Sequence, residues 1–436
     1  MNRQKLISGA VVVFVCCALG IGIGLLGCSA SKETPQAEGS ETPAEQTATV
    51  KTMNQWGKEY PLQWNSYAQI KVNPYDGDKE GHFCLRTKEL GPIKKDSRGY
   101  KPFRTEDENY VIDFLTYDDE AGQWIVDDSV MNVVTEATAY TKGCFSCRSS
   151  KFQEIEAREG ADIYKQPLDN EFIAEINGQA WDCALCHGDN PENPADSYLK
   201  YFNEGTGTAF DEMDPGLRVC GQCHTTMNHF SEDHFRYGFE VDGLVDSKFE
   251  QGQTSFDKET GITTASGIYL PDLEMVQTSK MREMGVTCVS CHMPKTTDKE
   301  SGAEYTMHNA SGSPLENKAA MEYCLTCHKA RGINSADEMV KMVREQQEKA
   351  ATVLTALKER CADTKAKIKA AVEGATIDMA KLDAAREKYT RAYARYQVAL
   401  GDPNTAGLKI AHNPAMTWQY VDEANVILTE IDALLG

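Results

Sequence analysis

Basic residues are few in this chain. Lys and Arg number 45 against 66 Asp and Glu in 436 residues, a formal net charge of −21. That deficit excludes an electrostatic grip on nucleic acid phosphates and points to basic or small-molecule partners; a small anion would need a local positive funnel. Histidine is scarcer still, nine in the whole chain, so the position of each one carries information. Proline is missing from a long stretch after residue 336 that is rich in Ala, Lys, Glu, Leu and Met. Across the middle of the chain hydrophobic periodicity is weak, although the length suffices for a sizeable core and two or three ordinary domains.

The N-terminus begins with Arg3 and Lys5, runs through apolar residues from Ile7 to Leu26 and reaches Leu25-Leu26-Gly27-Cys28. This is the order of a secretion signal over residues 1–27, closing on a tetrapeptide like a bacterial lipobox, with Cys28 as the lipid-anchor position. A retained membrane anchor is the alternative, since about 20 apolar residues span a bilayer. Residues 28–50, rich in Ser, Thr, Glu, Ala and Gln, have little to bury and read as a disordered tether. The expected location is extracytoplasmic, at the outer face of the cytoplasmic membrane.

Fifteen cysteines divide by position. Cys16 and Cys17 fall in the signal, Cys28 at its end, and Cys84 and Cys361 stand alone. The other ten form five pairs with two residues between members: Cys144/Cys147, Cys183/Cys186, Cys220/Cys223, Cys288/Cys291 and Cys324/Cys327. His187, His224, His292 and His328 follow the last four pairs at once. Cys-x-x-Cys-His attaches c-type haem: two thioethers reach the two vinyl groups of one porphyrin, and the adjacent imidazole turns beneath the iron. Zinc ribbons and disulfides also use paired cysteines, but neither explains a histidine after four pairs in a chain so poor in histidine. Five covalently bound haems c are expected. The histidines left over, His82, His229, His234, His308 and His412, are candidates for second axial ligands, with surface or core histidine as the bland alternative for each. The first pair reads Cys144-Phe145-Ser146-Cys147-Arg148, so it has no histidine, and an odd site among regular ones is the candidate for chemistry.

Residues 51–332 form the expected pentahaem domain. Short apolar runs at Tyr110–Leu115 and Gln123–Val126 suggest strands in its first part. Residues 333–436 form a helical region: a helix from a capping box at Ser335-Ala336-Asp337-Glu338 to about Val372, a second over Asp378 to Leu400 stopped by Gly401 and Pro403, and a third from Pro414 to Leu435. Their apolar stripes bury against the haem domain or a second subunit, or they form a coiled coil of their own.

In order along the chain, Gly81-His82-Phe83, the first site without histidine, Val219-Cys220-Gly221-Gln222-Cys223-His224, the run Gly285 to Lys295 through Cys288-Val289-Ser290-Cys291-His292, His308, and Ala411-His412-Asn413-Pro414 resemble the pentahaem, ammonia-forming cytochrome c nitrite reductases. The resemblance runs from about His82 to the C-terminus. It implies a mainly α, multihaem cytochrome c fold with a haem-packed core and long C-terminal helices. By the same resemblance, the Cys144/Cys147 haem is the open, substrate-binding one and the other four wire it to a partner. His82 would be the distal ligand at Cys220/Cys223, His308 at Cys183/Cys186 and His412 at Cys288/Cys291. Met281 stands where the family has the distal histidine of the Cys324/Cys327 haem; Met284, His229 and His234 are the alternatives. Implied partners are a membrane-bound quinol-oxidising cytochrome or other redox partner, and a second copy docked through the C-terminal helices.

The chain departs from the family around its chemistry. Arg148 replaces the usual lysine after the first pair, and a guanidinium offers iron no lone pair; Lys142 and Lys151 are the nearest amines. Thr225-Thr226-Met227-Asn228 replaces a calcium-binding Glu and a catalytic Tyr. Gly267-Ile268-Tyr269-Leu270-Pro271 stands where the family has Lys-x-Gln-His-Pro, so calcium is not secured by the residues present. One expected function is reduction of nitrite to ammonia, or of a related small oxidised compound, with Lys94, Arg148, Lys151, Tyr269, His229 and His234 as candidate anion-binding and proton-donating residues. The other is an electron-transfer subunit linking a quinol dehydrogenase to a separate reductase.

Overall fold

Three long helices build the C-terminal quarter, as composition and capping predict. The first, Ala336–Gly374, runs 39 residues, about 58 Å at 1.5 Å per residue. Ser335 Oγ accepts the Glu338 N–H, while Glu338 reaches the Asn334 N–H rather than that of Ser335, so the expected capping box closes one residue wide. Met379–Leu400 starts on an Asp378 cap and ends at Gly401, whose φ of 74° suits glycine. Pro414–Leu435 carries proline in its first turn and an Asn413 cap. The structure, a computed structural model, describes residues 53–68, 85–86, 103–104, 110–111, 115–118, 120–121, 123–126, 141–179, 182–188, 200–207, 213–226, 233–268, 270–310, 313–374, 377–401 and 406–436. Cys28, His82, Lys94, His229 and Tyr269 lie outside the described residues, as do the signal and tether.

The helices do not stand apart as a coiled coil. One apolar core joins Leu354, Leu357, Cys361, Ile368, Leu382, Tyr389, Val398, Tyr420, Leu428 and Ile431 to Val241, Val245, Ile262, Ile268 and Met275. Burying each large aliphatic side chain contributes about 1.5–3 kcal/mol. Polar pins align the layers: Arg395 binds Asp242 at 2.6 Å and Glu423 at 2.6 Å, and Tyr420 accepts the Val241 N–H at 3.1 Å. A smaller cluster of Ala320, Met321, Met339 and Val343 ties the last cysteine-pair helix, Lys318–His328, to the first long helix.

Upstream, short helices and turns carry the cysteine pairs. The expected strands appear as Tyr110–Val111 between Leu85–Arg86 and Phe103–Arg104, and as a hairpin of Leu115–Asp118 with Gln123–Val126, registered Leu115 to Val126. Two helices, Met53–Glu59 and Pro61–Ala68, precede them; their weak periodicity hid them in the sequence. Buried Met53 and Trp56 pack on the second pair: Met53 Sδ accepts the Cys183 N–H at 3.2 Å, and Trp56 lies 6.3 Å from the His187 ring.

Candidate haem sites and active site

The second pair sits on a five-residue helix, Cys183–His187, which brings both cysteines and the histidine to one side. His308 faces it from the loop after the strand Glu304–Thr306, with ring centres 5.9 Å apart. Two contacts fix His308: its Nδ1–H donates to Thr306 O at 2.8 Å, and its backbone N–H donates to Ser66 Oγ at 2.8 Å. The Nδ1–H bond leaves Nε2 as the nitrogen with a lone pair for a metal. Burial pushes the His308 imidazole down to about 4, keeping it neutral and able to ligate a metal.

The fourth pair repeats this arrangement. Thr287 and Ser290 close a capping box around Cys288–His292. His412 lies opposite His292 with ring centres 6.2 Å apart. Two metal–imidazole bonds of about 2.0 Å, each with about 1.1 Å from nitrogen to ring centre, call for about 6.2 Å. Both histidine pairs therefore fit a haem iron held between two imidazoles. Burial lowers His292 to about 4. Asn413 explains the Ala411-His412-Asn413-Pro414 run: Oδ1 accepts the Met416 N–H and Nδ2 donates to Met275 O at 2.9 Å, which anchors the turn beneath His412.

At the third pair, His224 Nδ1 lies 3.0 Å from Asp272 Oδ2. Asp272 also meets Lys409 Nζ at 2.9 Å and stands 2.8 Å from His412 Nδ1, off the line of a good hydrogen bond. Burial opposes its charge, but Lys409 and the two histidines hold the carboxyl well below the usual carboxylate range.

The last pair closes the helix Lys318–His328, with His328 in its final turn. Cys327 is exposed rather than buried, whereas Cys324 is half-buried. The reason is the reach of the small apolar cluster: it covers Ala320 and Met321 and extends to Cys324, but stops short of the helix end where Cys327 stands. The nearest polar partner of Cys327 is its neighbour Thr326, whose Oγ1 lies 3.7 Å from its Sγ. Cys186, in the second pair, is exposed in the same way. Both sulfurs stand on helical turns with the spacing that haem attachment requires. Met281 is half-buried on Lys280–Glu283, and Met284 is exposed.

The first pair lies in a tight 3-10 turn, Lys142–Phe145. A Cβ at Gly143 would fall 2.7 Å from Tyr164 O, so only glycine fits there. The Cys144 backbone is part of this turn. Phe145 is fully buried against Phe172, with ring centres 5.6 Å apart. Both candidate amines are engaged: Lys142 pairs with Asp169 at 2.9 Å and lies over the Phe172 ring, and Lys151 pairs with Glu154. Arg148 is half-buried beside the pair. Ser150 donates to buried Asp182, the residue before the second pair, whose carboxyl burial pushes up to about 6.

Successive pairs neighbour one another. Cys223 Sγ approaches Cys147 O at 3.8 Å, Cys220 lies beside Cys288, and Cys291 is near Cys324. Cys186 stands near Cys220 and Cys223, placing the second pair beside this succession.

Where the family has its Glu-Tyr, a buried polar cluster stands instead. Thr225 Oγ1 and Thr226 Oγ1 and N donate to Glu274 Oε1 at 2.9, 2.6 and 2.8 Å, and His234 Nε2 lies 3.1 Å from Thr226 Oγ1. Lys248 Nζ donates to Thr226 O at 2.8 Å and Gln253 Oε1 at 3.2 Å. Burial raises Glu274, lowers Lys248 to about 8 and lowers His234 to about 3. Among the described residues, Glu274 Oε2 and His234 Nδ1 have no partner. Sequence reasoning named His234 but missed Lys248, Asp272, Glu274 and Lys409. The signal for two of them was legible: acids at 272 and 274 alternate with apolar residues that face the core.

The sequence profile of the cytochrome c552 family matches residues 52–433. The chain belongs to this family. It is a divergent member of what is also the cytochrome c nitrite reductase family, a likeness that implies covalently bound haem c. A cytochrome c-552 of Haemophilus ducreyi is 27% identical over 215 residues, 42% of this chain and 39% of the relative's own length. A cytochrome c nitrite reductase of Desulfovibrio desulfuricans shares the fold, with a TM-score of 0.61 at 15% identity over 88% of this chain and 86% of that one. An outer cell wall cytochrome aligns at a TM-score of 0.36 and 18% identity, over 69% of this chain and 48% of that one. No helix among the described residues is long and apolar enough to cross a membrane.

Proposed function

We propose that the chain is an extracytoplasmic pentahaem cytochrome c, lipid-anchored at Cys28, that reduces nitrite to ammonium or a related small oxidised compound at the Cys144/Cys147 site. The observation that carries this reading is the succession of neighbouring cysteine pairs with the histidine-free pair at its end. Each bound haem c would supply one-electron redox chemistry, and the first an iron face open to substrate. His187 with His308, His224 with His82, and His292 with His412 are assigned as axial pairs, and His328 is assigned with Met281.

Nitrite reduction to ammonium takes six electrons and eight protons and releases two waters. The first site must therefore hold an anion and deliver protons. Arg148, directly after the pair, is a permanently cationic group for the anion. The Thr226, Glu274 and His234 cluster begins three residues beyond Cys223, which abuts Cys147, and its Glu274 carboxyl, raised by burial, is assigned as a proton donor. Lys94, Lys151, Tyr269 and His229 remain assigned to the same site.

The second reading is an electron carrier between a membrane quinol dehydrogenase and a separate reductase. It draws on the threonines in place of Glu-Tyr and on the engagement of both Lys142 and Lys151 in ion pairs. One assay separates the two: haem-loaded protein with reduced viologen, offered nitrite, hydroxylamine, sulfite and organic acceptors. Turnover of an oxyanion with ammonium as product is expected. Rapid oxidation of the haems by a partner protein, with no turnover of any small acceptor, would favour the carrier.

A further inference from the structure

Asp272 has no backbone role that explains its burial. It stands at the start of the short helix Asp272–Gln277, only 5% exposed, and its recorded side-chain contacts are to His224, His412 and Lys409. Its place is held independently of the carboxylate: the next residue, Leu273, donates its N–H to His224 O at 2.9 Å, and Leu270, in the left-handed region at a φ of 55°, donates to Gly401 O at 3.0 Å. The backbone is thus bent to bring one carboxylate between two imidazoles that belong to different cysteine pairs.

We propose that Asp272 is a positioning residue shared by two neighbouring haems, hydrogen-bonded to Nδ1 of His224 and set 2.8 Å from Nδ1 of His412 as a close charge neighbour, so that both rings present Nε2 to iron and the two haems titrate as a coupled pair. The inference rests on the ligand roles proposed above for His224 and His412. A carboxylate on Nδ1 fixes the tautomer and makes the imidazole a stronger donor, which favours the ferric state. His308 supplies an internal contrast, because its Nδ1 meets only the neutral carbonyl of Thr306. Lys409 shares the same carboxylate and moderates its charge. Because one carboxylate serves both rings, a change of charge at either iron alters the grip on the other.

The test is a potentiometric titration of the full, haem-loaded protein, with the ferric haems followed by electron paramagnetic resonance. In Asp272→Asn two haems, and only two, should rise together, each by at least the tenfold change in reduced-to-oxidised ratio that corresponds to about 59 mV for one electron. Asp272→Glu should recover most of the shift. Lys409→Met, which leaves the carboxylate in place, should move the same two haems the opposite way, and it carries the test alone if Asp272→Asn loses haem. A shift confined to one haem, an equal shift of all haems, or no shift in any variant would overturn the proposal. His412→Met separates the two levels of the argument. If it changes the spectrum of one haem while the Asp272 and Lys409 variants move nothing, the ligand reading stands and this inference fails; if it changes no haem, both fall.

Discussion

Met281 shows how much of this protein turns on single side chains. In the proposed assignment its thioether takes the place of a distal imidazole on the Cys324/Cys327 haem, and sulfur stabilises the ferrous state relative to a second nitrogen. Met281→His should lower one haem potential by about 100 mV or more, on the scale over which axial ligands tune haem. A sulfur-to-iron charge-transfer band in the near infrared should vanish with it. An unchanged titration would move the ligand role to another residue. At this scale the sequence was readable where covalent chemistry demands fixed spacing, as in the five cysteine pairs and their four histidines. It was silent where function depends on approach through space. Nothing adjacent to Asp272 in the chain announces His224, 48 residues earlier, or His412, 140 residues later. Nor does spacing tell a half-buried Cys324 from an exposed Cys327, since both belong to the same motif and differ only in what packs over them.

Among the elements, the C-terminal helices were the most legible, because capping residues and apolar periodicity are local properties. Their placement also rests on pins that periodicity does not disclose. Lys365 on the first long helix binds Asp257 at 2.5 Å, beside the hairpin of Thr254–Phe256 with Thr263–Ala265. The Lys365 contact, helped by the Thr260 and Glu259 N–H groups, holds the Asp257 carboxyl at about 2, below its ordinary 3.8. A depressed carboxyl contributes stability above its unfolded value, and that contribution is lost as pH falls through the folded value. Lys365→Met should therefore lower stability by up to about 1 kcal/mol at neutral pH, the range of surface ion pairs. The difference from the parent protein, measured by urea unfolding, should close between about pH 4 and pH 2. A difference that persists at pH 2 would mean that the lysine acts through packing. The short helices at Met53–Ala68 were illegible for the opposite reason: they are stabilised by Trp56 and Met53 lying against the second cysteine pair, not by a periodic face of their own.

For the whole molecule, the proposed lipid anchor at Cys28 of the N-terminal Leu25-Leu26-Gly27-Cys28 run gives a direct test. Cys28→Ala should release the protein into the soluble fraction after cell lysis, whereas retention with membranes would indicate an uncleaved apolar anchor. The sequence by itself determined the chemistry that is written in covalent spacing: paired cysteines for haem, a first site without histidine, a helical C-terminal region and a family likeness carried by ordered motifs. Tertiary structure alone decided which histidines face each other, that successive pairs neighbour one another with the first at one end, that both lysines near the first pair are already engaged, and that a cluster of threonine, glutamate, histidine and lysine fills the place of the family's Glu-Tyr. The physical reason is range. Attachment motifs and helix caps act within a few residues, whereas axial pairing, shared carboxylates and buried charge depend on contacts between segments tens to hundreds of residues apart, which come together only when one core joins Val241 to Ile431.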